Sequence, residues 1–411
     1  MLAQILTICL VLLRPFVGAD IFDGFTESTL VPWLENQVAD PFANTVHVSM
    51  RLSCTGTVDC VGGRTKDYKP VVDTGSTGIM LVAKEIPDFI PGTCPTEDVG
   101  WQYLSSSDKL YRGCWIKKEV VFNPGSASTT QPEMTATVPV LAVTESAFCD
   151  PRSSFGEYDV LAAPNTCPDP TVVFDTNPTT LSMLGIGFGR QKSGQPQGYP
   201  DKNPFLQMTT VAGHAVNWFS YRPGWVITKR GVHSGLTNFN AGGSREFRYT
   251  RLPPHHPPSP PSAPPVPRHP LDWDQLDGCI KFTYDTIIGG TPTTVVTPCV
   301  KCKVLLDTGF QRGFVRLRSP TTDAVMPRTG SGASPLKAGA IIDVSFGSPA
   351  IDGERFTVAA GRSGAGAAPD NDIRAVYSTR LPRFVNAGSH AFRLKKMAFD
   401  AISGAVGFAP A

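Results

Sequence analysis

The chain has 411 residues, of which 41% are apolar and 18% charged, with a formal net charge of +2. That length supports two domains with substantial cores. Near-neutral charge, with no basic run longer than Lys117-Lys118 or Lys395-Lys396, leaves no footprint for nucleic acid or a membrane surface.

Glycine (39) and proline (38) are abundant and long helical periodicities are scarce, which points to an all-β protein rich in turns. Residues 5–13 form an apolar stretch too short to span a bilayer, followed by the small residues Val17-Gly18-Ala19. Residues 1–19 therefore read as a signal peptide rather than as a hydrophobic first strand. No later stretch is long and apolar enough to cross a membrane, and the C-terminus carries no lipid-anchor signal. A secreted, soluble protein without a membrane anchor is expected. Residues 20–41 form a short acidic segment holding Asp20, Asp23, Glu27, Glu35 and Asp40 and no base.

Residues 45–52 alternate as a strand does. The next stretch, VVDTGSTGIM at 71–80, has a later echo, KVLLDTG at 303–309. A given tripeptide is expected roughly 0.1 times in a chain of this length, so two copies of Asp-Thr-Gly behind apolar strands carry information. A strand places each Asp at its end, and glycine lets the backbone turn sharply there. If the two halves pack face to face, Asp73 and Asp307 meet. Two carboxylates in contact share a proton, so one serves as base toward a water and the other as acid toward a carbonyl.

Between the two motifs, residues 119–122 and 135–143 read as strands flanking a polar loop, 123–133. Residues 190–223 read as a Gly-, Pro- and Gln-rich connection, and 225–236 returns to a β pattern. The tract LPPHHPPSPPSAPPVPRHPL at 252–271 is a proline-rich loop insertion, polyproline II or disordered. Its His255, His256 and His269 read as solvated loop residues, because proline spacing fixes no coordination geometry. Strands are expected within 280–300, 338–346 and 355–360.

The two Asp-Thr-Gly motifs and their surroundings resemble the pepsin-like aspartic proteases. The resemblance implies an all-β, bilobal acid-protease fold of two β-barrel-like lobes with a cleft between them. The lobes are expected at 42–245 and 246–411. It implies Asp73 and Asp307 as the catalytic pair, acting without metal or cofactor. Thr74 and Thr308 would bond across to the opposite loop, Gly75 and Gly309 would allow the turns, and Ser76 would donate to Asp73. In this family a second strand ending in two apolar residues and Gly threads beside each Asp loop. The matches are Met183-Leu184-Gly185 and, less well, Asn386-Ala387-Gly388. The C-terminal run through Phe399-Asp400 and Val406-Gly407-Phe408-Ala409-Pro410 is similar to the family's closing segment.

Three departures stand out. The residue after the second Asp-Thr-Gly is Phe310 rather than a hydroxyl residue. The flap motif Tyr-Gly-Thr/Ser-Gly is missing, and the position of the Trp that partners the flap Tyr is Met80. Residues 103–115 resemble the segment leading into the flap, and the loop 123–133 is expected to stand in the flap's place. With a hydroxyl beside Asp73 and Phe310 beside Asp307, Asp73 is expected to be the ionised base and Asp307 the protonated acid. Because residues 20–41 hold no base, release without a basic pro-segment is expected. The 37 Lys and Arg residues point to a mildly acidic working pH.

Apart from Cys9, nine cysteines remain. Local pairing suggests Cys54 with Cys60, Cys94 with Cys114, Cys149 with Cys167, and Cys279 with Cys299 or Cys302, leaving one thiol. The Cys299-Val-Lys-Cys302 spacing is read as structural rather than as a redox or zinc motif. No Gly-x-Ser-x-Gly elbow, His-Glu-x-x-His or phosphate loop occurs. The expected protein is thus a secreted aspartic endopeptidase, a monomer acting on an extended polypeptide. The alternative is a non-catalytic pepsin-like binding, inhibitor or receptor protein.

Overall fold

The computed structural model describes residues 21–35, 39–53, 66–87, 89–104, 107–129, 131–149, 167, 170–188, 199–242, 246–254, 270–311, 313–318, 334–335, 339–348, 350–357, 374–377 and 382–411. The expected signal peptide, Cys54, Cys60 and most of the proline-rich tract lie outside the described residues. Among the described residues regular structure is almost all strand, as the composition predicted, with short 3-10 turns and one five-residue α-helix, His390–Leu394.

Among the described residues the strands form three sheets of ten, nine and six strands. The ten-stranded sheet uses strands between residues 50 and 215, and the nine-stranded sheet strands between 276 and 386. The six-stranded sheet combines Thr29–Pro32, Gly224–Thr228, Gly231–Ser234 and Arg248–Arg251 with the terminal strands Lys395–Asp400 and Ala405–Pro410. Long strands bury alternate residues, so one face meets the core and the other meets water; Ile341–Phe346 buries every second side chain. One continuous apolar core draws on all three sheets, including Val72, Leu184, Trp225, Val304 and Phe408.

The two large sheets repeat one unusual pairing. Val71–Asp73 runs parallel to Ser182–Ile186, and Thr77–Val82 runs antiparallel to that same strand. Likewise Val300–Leu305 runs parallel to Phe384–Asn386, and Phe314–Leu317 runs antiparallel to it. In each case a third strand threads between the strand entering the Asp turn and the strand leaving it. The leaving strand then pairs in parallel with a further one, Met134–Phe148 or Arg374–Tyr377.

Three cysteine pairs stand at disulfide distance: Cys94 with Cys114, Cys149 with Cys167, and Cys279 with Cys299, with Cα separations of 5.7, 5.2 and 5.5 Å. Strand alternation decides between the two partners open to Cys279. Lys301 lies opposite Cys279 and Cys302 opposite Gly278, so Cys302 turns to the other face of the strand and into the core. Burial pushes its thiol up to about 12. At mildly alkaline pH the thiolate is then about a thousandfold scarcer than for an ordinary cysteine. We expect iodoacetamide to modify Cys302 only after unfolding, read by peptide mass spectrometry; rapid labelling of the native protein would contradict this burial.

Candidate active site

Each Asp-Thr-Gly sits where its strand leaves the sheet. Val71 and Val72 hold an extended backbone up to Asp73, and the strand Val300–Leu305 ends two residues before Asp307. The turns that follow face one another. A Cβ on Gly75 would lie 2.4 Å from Asp307 Cγ, and one on Gly309 would lie 2.6 Å from Asp73 Cγ. No side chain fits at either place, which is the physical need for these two glycines. The structure therefore brings together the two carboxylates that the sequence singled out. Both are nearly buried, at 6% and 4% exposure.

The threonines between them lock the two turns to each other. Thr74 N–H donates to Thr308 Oγ1 at 3.1 Å, and Thr308 N–H donates to Thr74 Oγ1 at 3.0 Å. Each hydroxyl then donates onward to the opposite strand, Thr74 to Leu306 O at 2.6 Å and Thr308 to Val72 O at 2.7 Å. All four bonds are buried and join residues more than 230 positions apart. The resemblance placed these residues in this role.

Among the described contacts, each carboxylate accepts a backbone N–H and a side-chain donor. Gly75 N–H donates to Asp73 Oδ1 at 2.6 Å, and Ser76 Oγ donates to Asp73 Oδ2 at 2.7 Å. Gly309 N–H donates to Asp307 Oδ1 at 3.0 Å, and Asn386 Nδ2 donates to Asp307 Oδ2 at 2.7 Å. The expectation that Asp307 lacks a side-chain donor is thereby corrected. The donor comes from the threading strand rather than from position 310. Two departures noted separately, Phe310 and Asn386, are one exchange, and the roles assigned from Phe310 lose their basis. Sequence reasoning missed Asn386 because it compared positions singly; an amide gained where a hydroxyl was lost was the available signal.

The two threading glycines also fall where expected. Gly185 lies opposite Asp73, and a Cβ there would stand 2.7 Å from Ser76 Oγ. Gly388 has φ of 61°, its N–H donates to Asn386 Oδ1 at 2.9 Å, and its carbonyl accepts from Asp307 N–H at 3.3 Å.

The loop 123–133 does not stand over the pair, which corrects a second expectation. Asn123 Nδ2 donates to Leu30 O at 2.9 Å, tying the loop to the six-stranded sheet, and the loop shares a surface cavity with Ala212 and Gly213. The paired strands Val99–Leu104 and Lys109–Phe122 pack on the Met80 and Met183 side of the Asp73 turn. Their Tyr111 and Trp115 pack with Met80 and Met183, and Met183 Sδ lies 3.4 Å from Ser76 Oγ. Burial raises the Tyr111 phenol above its ordinary range. The disulfide from Cys94 to Cys114 anchors this hairpin.

Behind the Asp307 turn, the N-terminal segment packs on the helix His390–Leu394. Arg393 pairs with Asp40 at 2.5 Å, Ser389 Oγ donates to Phe42 O at 3.2 Å, and Phe42 lies against Phe392. Burial, reinforced by Arg393, pushes His390 down to about 4. Burial with Arg230 does the same to His233 in the six-stranded sheet. The unfolded chain takes up these protons as pH falls through about 6.5, while the folded chain holds the rings neutral to about 4. Stability is therefore full above pH 6.5 and lost toward pH 4, by up to about 3 kcal/mol per histidine. Melting curves from pH 7 to 4.5 are expected to fall less steeply for His390→Gln and His233→Gln than for wild type; equal slopes would refute the linkage.

Among the described residues no group of three or more His, Cys, Asp or Glu is arranged to hold a metal ion. No protein-family model and no curated protein matches this sequence.

Proposed function

We propose that the chain is a secreted aspartic endopeptidase on a pepsin-like, two-lobed fold, with Asp73 and Asp307 as its catalytic pair. The observation that carries this reading is the reciprocal Thr74–Thr308 network, which holds two buried carboxylates against each other's glycine turns. A purely structural use of two turns needs no facing acids, and burying a pair of carboxylates costs stability.

The pair holds one proton and one charge. The ionised carboxylate takes a proton from a water as the water oxygen bonds to the peptide carbonyl carbon. The protonated carboxylate gives its proton to the carbonyl oxygen, and a neutral gem-diol results. The new carboxylic acid then protonates the amide nitrogen as the C–N bond breaks. The other carboxylate takes a proton back from a diol hydroxyl, which restores the starting pair. Thr74, Gly75, Ser76, Thr308, Gly309, Gly185 and Gly388 position the two acids. The substrate lies extended between lobes 42–245 and 246–411, beneath the Tyr111 hairpin. Three disulfide-distance pairs support an oxidising, extracellular destination.

Cleavage of a denatured protein at mildly acidic pH, blocked by a peptide carrying a hydroxyl mimic of the gem-diol, is the expected result. The missing flap motif favours a second reading, a binding protein on the same fold. Tight binding of that peptide with no cleavage at any pH would establish it.

A further inference from the structure

The amide of Asn386 has one allowed orientation. The backbone N–H of Gly388 can only donate, so the amide oxygen must face it, at 2.9 Å. The NH2 group therefore faces Asp307 Oδ2, at 2.7 Å. Asn386 is 2% exposed, and turning it over would set donor against donor at one end and acceptor against acceptor at the other. Both oxygens of Asp307 thus face fixed N–H groups, from Gly309 and Asn386. A proton on Oδ2 would point at a donor.

Asp73 is supported differently. Its Oδ1 accepts a fixed N–H from Gly75, but its Oδ2 meets the Ser76 hydroxyl, whose proton can rotate. Ser76 Oγ also lies 3.4 Å from Met183 Sδ, a weak acceptor. Ser76 can turn its proton to that sulfur and accept one from Asp73, leaving every group bonded. The inner oxygens each face a glycine N–H, at 2.6 Å for Asp73 and 3.0 Å for Asp307, so the difference in kind lies at the outer oxygens, where one donor is fixed and the other can rotate.

We propose that Asn386 is a positioning residue that fixes the polarity of the pair, with Asp307 its ionised base and Asp73 its protonated acid. This rests on the endopeptidase reading and reverses the assignment expected from Phe310 alone. In the first step Asp307 takes the water proton, and Asp73 protonates the carbonyl oxygen through the Ser76 side of the pair. Among the described residues, charged and titratable groups on the elements packed around the pair are Lys301 and Lys303 on the strand entering Asp307, His390 and Arg393 on the following helix, and, on the Asp73 side, Tyr111 and the Lys202–Asp201 pair. Lys303 is held by Asp274 and Asp277, and Arg393 by Asp40.

The test is the pH–rate profile of peptide cleavage by full-length wild type, Asn386→Leu and Ser76→Ala. The acid limb reports formation of the single charge, and the alkaline limb its doubling. If Asp307 carries the single charge, Asn386→Leu moves the acid limb up by about one to two pH units and leaves the alkaline limb in place. Ser76→Ala then moves the alkaline limb up and leaves the acid limb. Adding Phe310→Thr to Asn386→Leu returns a donor from the family's usual position and is expected to move the acid limb back down. The swapped pattern, or equal movement of both limbs in Asn386→Leu, overturns the proposal. If Asn386→Leu does not fold, the limb moved by Ser76→Ala decides alone. Absence of cleavage in wild type at every pH would instead defeat the endopeptidase reading. Carboxyl-13C aspartate spectra, assigned with Asp73→Asn and Asp307→Asn, then read the polarity without turnover. An ionised Asp307 beside a protonated Asp73 supports it, and the opposite pattern overturns it.

Discussion

Replacing either Asp73 or Asp307 with asparagine is expected to reduce peptide cleavage by about a thousandfold or more. The reaction needs one carboxylate to accept a proton while its neighbour donates one, and an amide does neither at working pH. The two variants should differ in stability. In Asp73→Asn the new NH2 can donate to Ser76 Oγ, which turns its own proton away, while the amide oxygen keeps the Gly75 N–H. In Asp307→Asn the oxygen can keep the Gly309 N–H, but the NH2 then meets the locked NH2 of Asn386. A buried donor facing a donor costs about 1–3 kcal/mol. Turnover of one peptide by both purified variants, with a thermal melt of each, checks both halves. Near-wild-type turnover in either would remove the pair from the mechanism.

The features that could be read from the sequence are those fixed by a few adjacent residues. Asp-Thr-Gly behind an apolar strand specifies a turn with an acid at its tip, and the pairing of Cys94 with Cys114 follows from closeness along the chain. Met183-Leu184-Gly185 was found because its apolar pair and glycine survive intact. Features that depend on which strands meet were not legible. The loop 123–133 and the paired strands Val99–Leu104 and Lys109–Phe122 lie close together in the chain, and sequence spacing does not say which of them packs beside Met80 and Met183. Asn386 was visible as an anomaly but not as a donor. Its meaning depends on Leu305 lying beside it in a parallel register, although the two stand 386 − 305 = 81 positions apart in the chain. The choice of Cys299 over Cys302 also waited on register, since a shift of one residue puts a side chain on the opposite face.

The exchange between Phe310 and Asn386 bears on how much weight a single departure from a motif carries. Phe310, read alone, counts against the proposed catalysis because it stands where the resemblance implies a hydroxyl beside Asp307. The acid's need is for a donor at its outer oxygen, and a side chain on any neighbouring strand can meet it. An asparagine there meets the need with less freedom than a hydroxyl, because Gly388 holds its oxygen. Buried acids kept for structure alone need no donor fixed at the outer oxygen of either one. The exchange therefore favours the endopeptidase reading over the binding-protein reading.

The largest expected loss of stability lies away from the pair, at Arg222 and Asp400. Asp400 is fully buried and accepts Arg222 Nε at 3.1 Å and Nη2 at 2.8 Å, a two-pronged pairing. The remaining capacity of that carboxylate is taken by the backbone N–H groups of Ile402 and Ser403, at 3.1 and 3.3 Å, and by the Ser403 hydroxyl. The guanidinium lies over the rings of Phe22 and Phe25, at 5.5 and 5.3 Å, which brings the N-terminal segment onto the same sheet. Asp400 ends the strand Lys395–Asp400 and pairs in register with Gly224, so the ion pair closes one end of the six-stranded sheet. Removing the arginine leaves a fully buried charge without its cation, and Arg222→Ala is expected to cost about 3–5 kcal/mol in urea unfolding. Arg222→Lys keeps the charge but loses the fork, and should recover part of that loss. The double variant Arg222→Ala/Asp400→Leu should be more stable than Arg222→Ala alone, because the stranded charge is gone. A loss below about 1 kcal/mol for Arg222→Ala would mean that water reaches the carboxylate and the sheet end is looser than its burial indicates. Neither residue touches the Asp73 or Asp307 turns, so each folded variant should cleave peptide at the wild-type rate below its melting transition, separating stability from chemistry in one measurement.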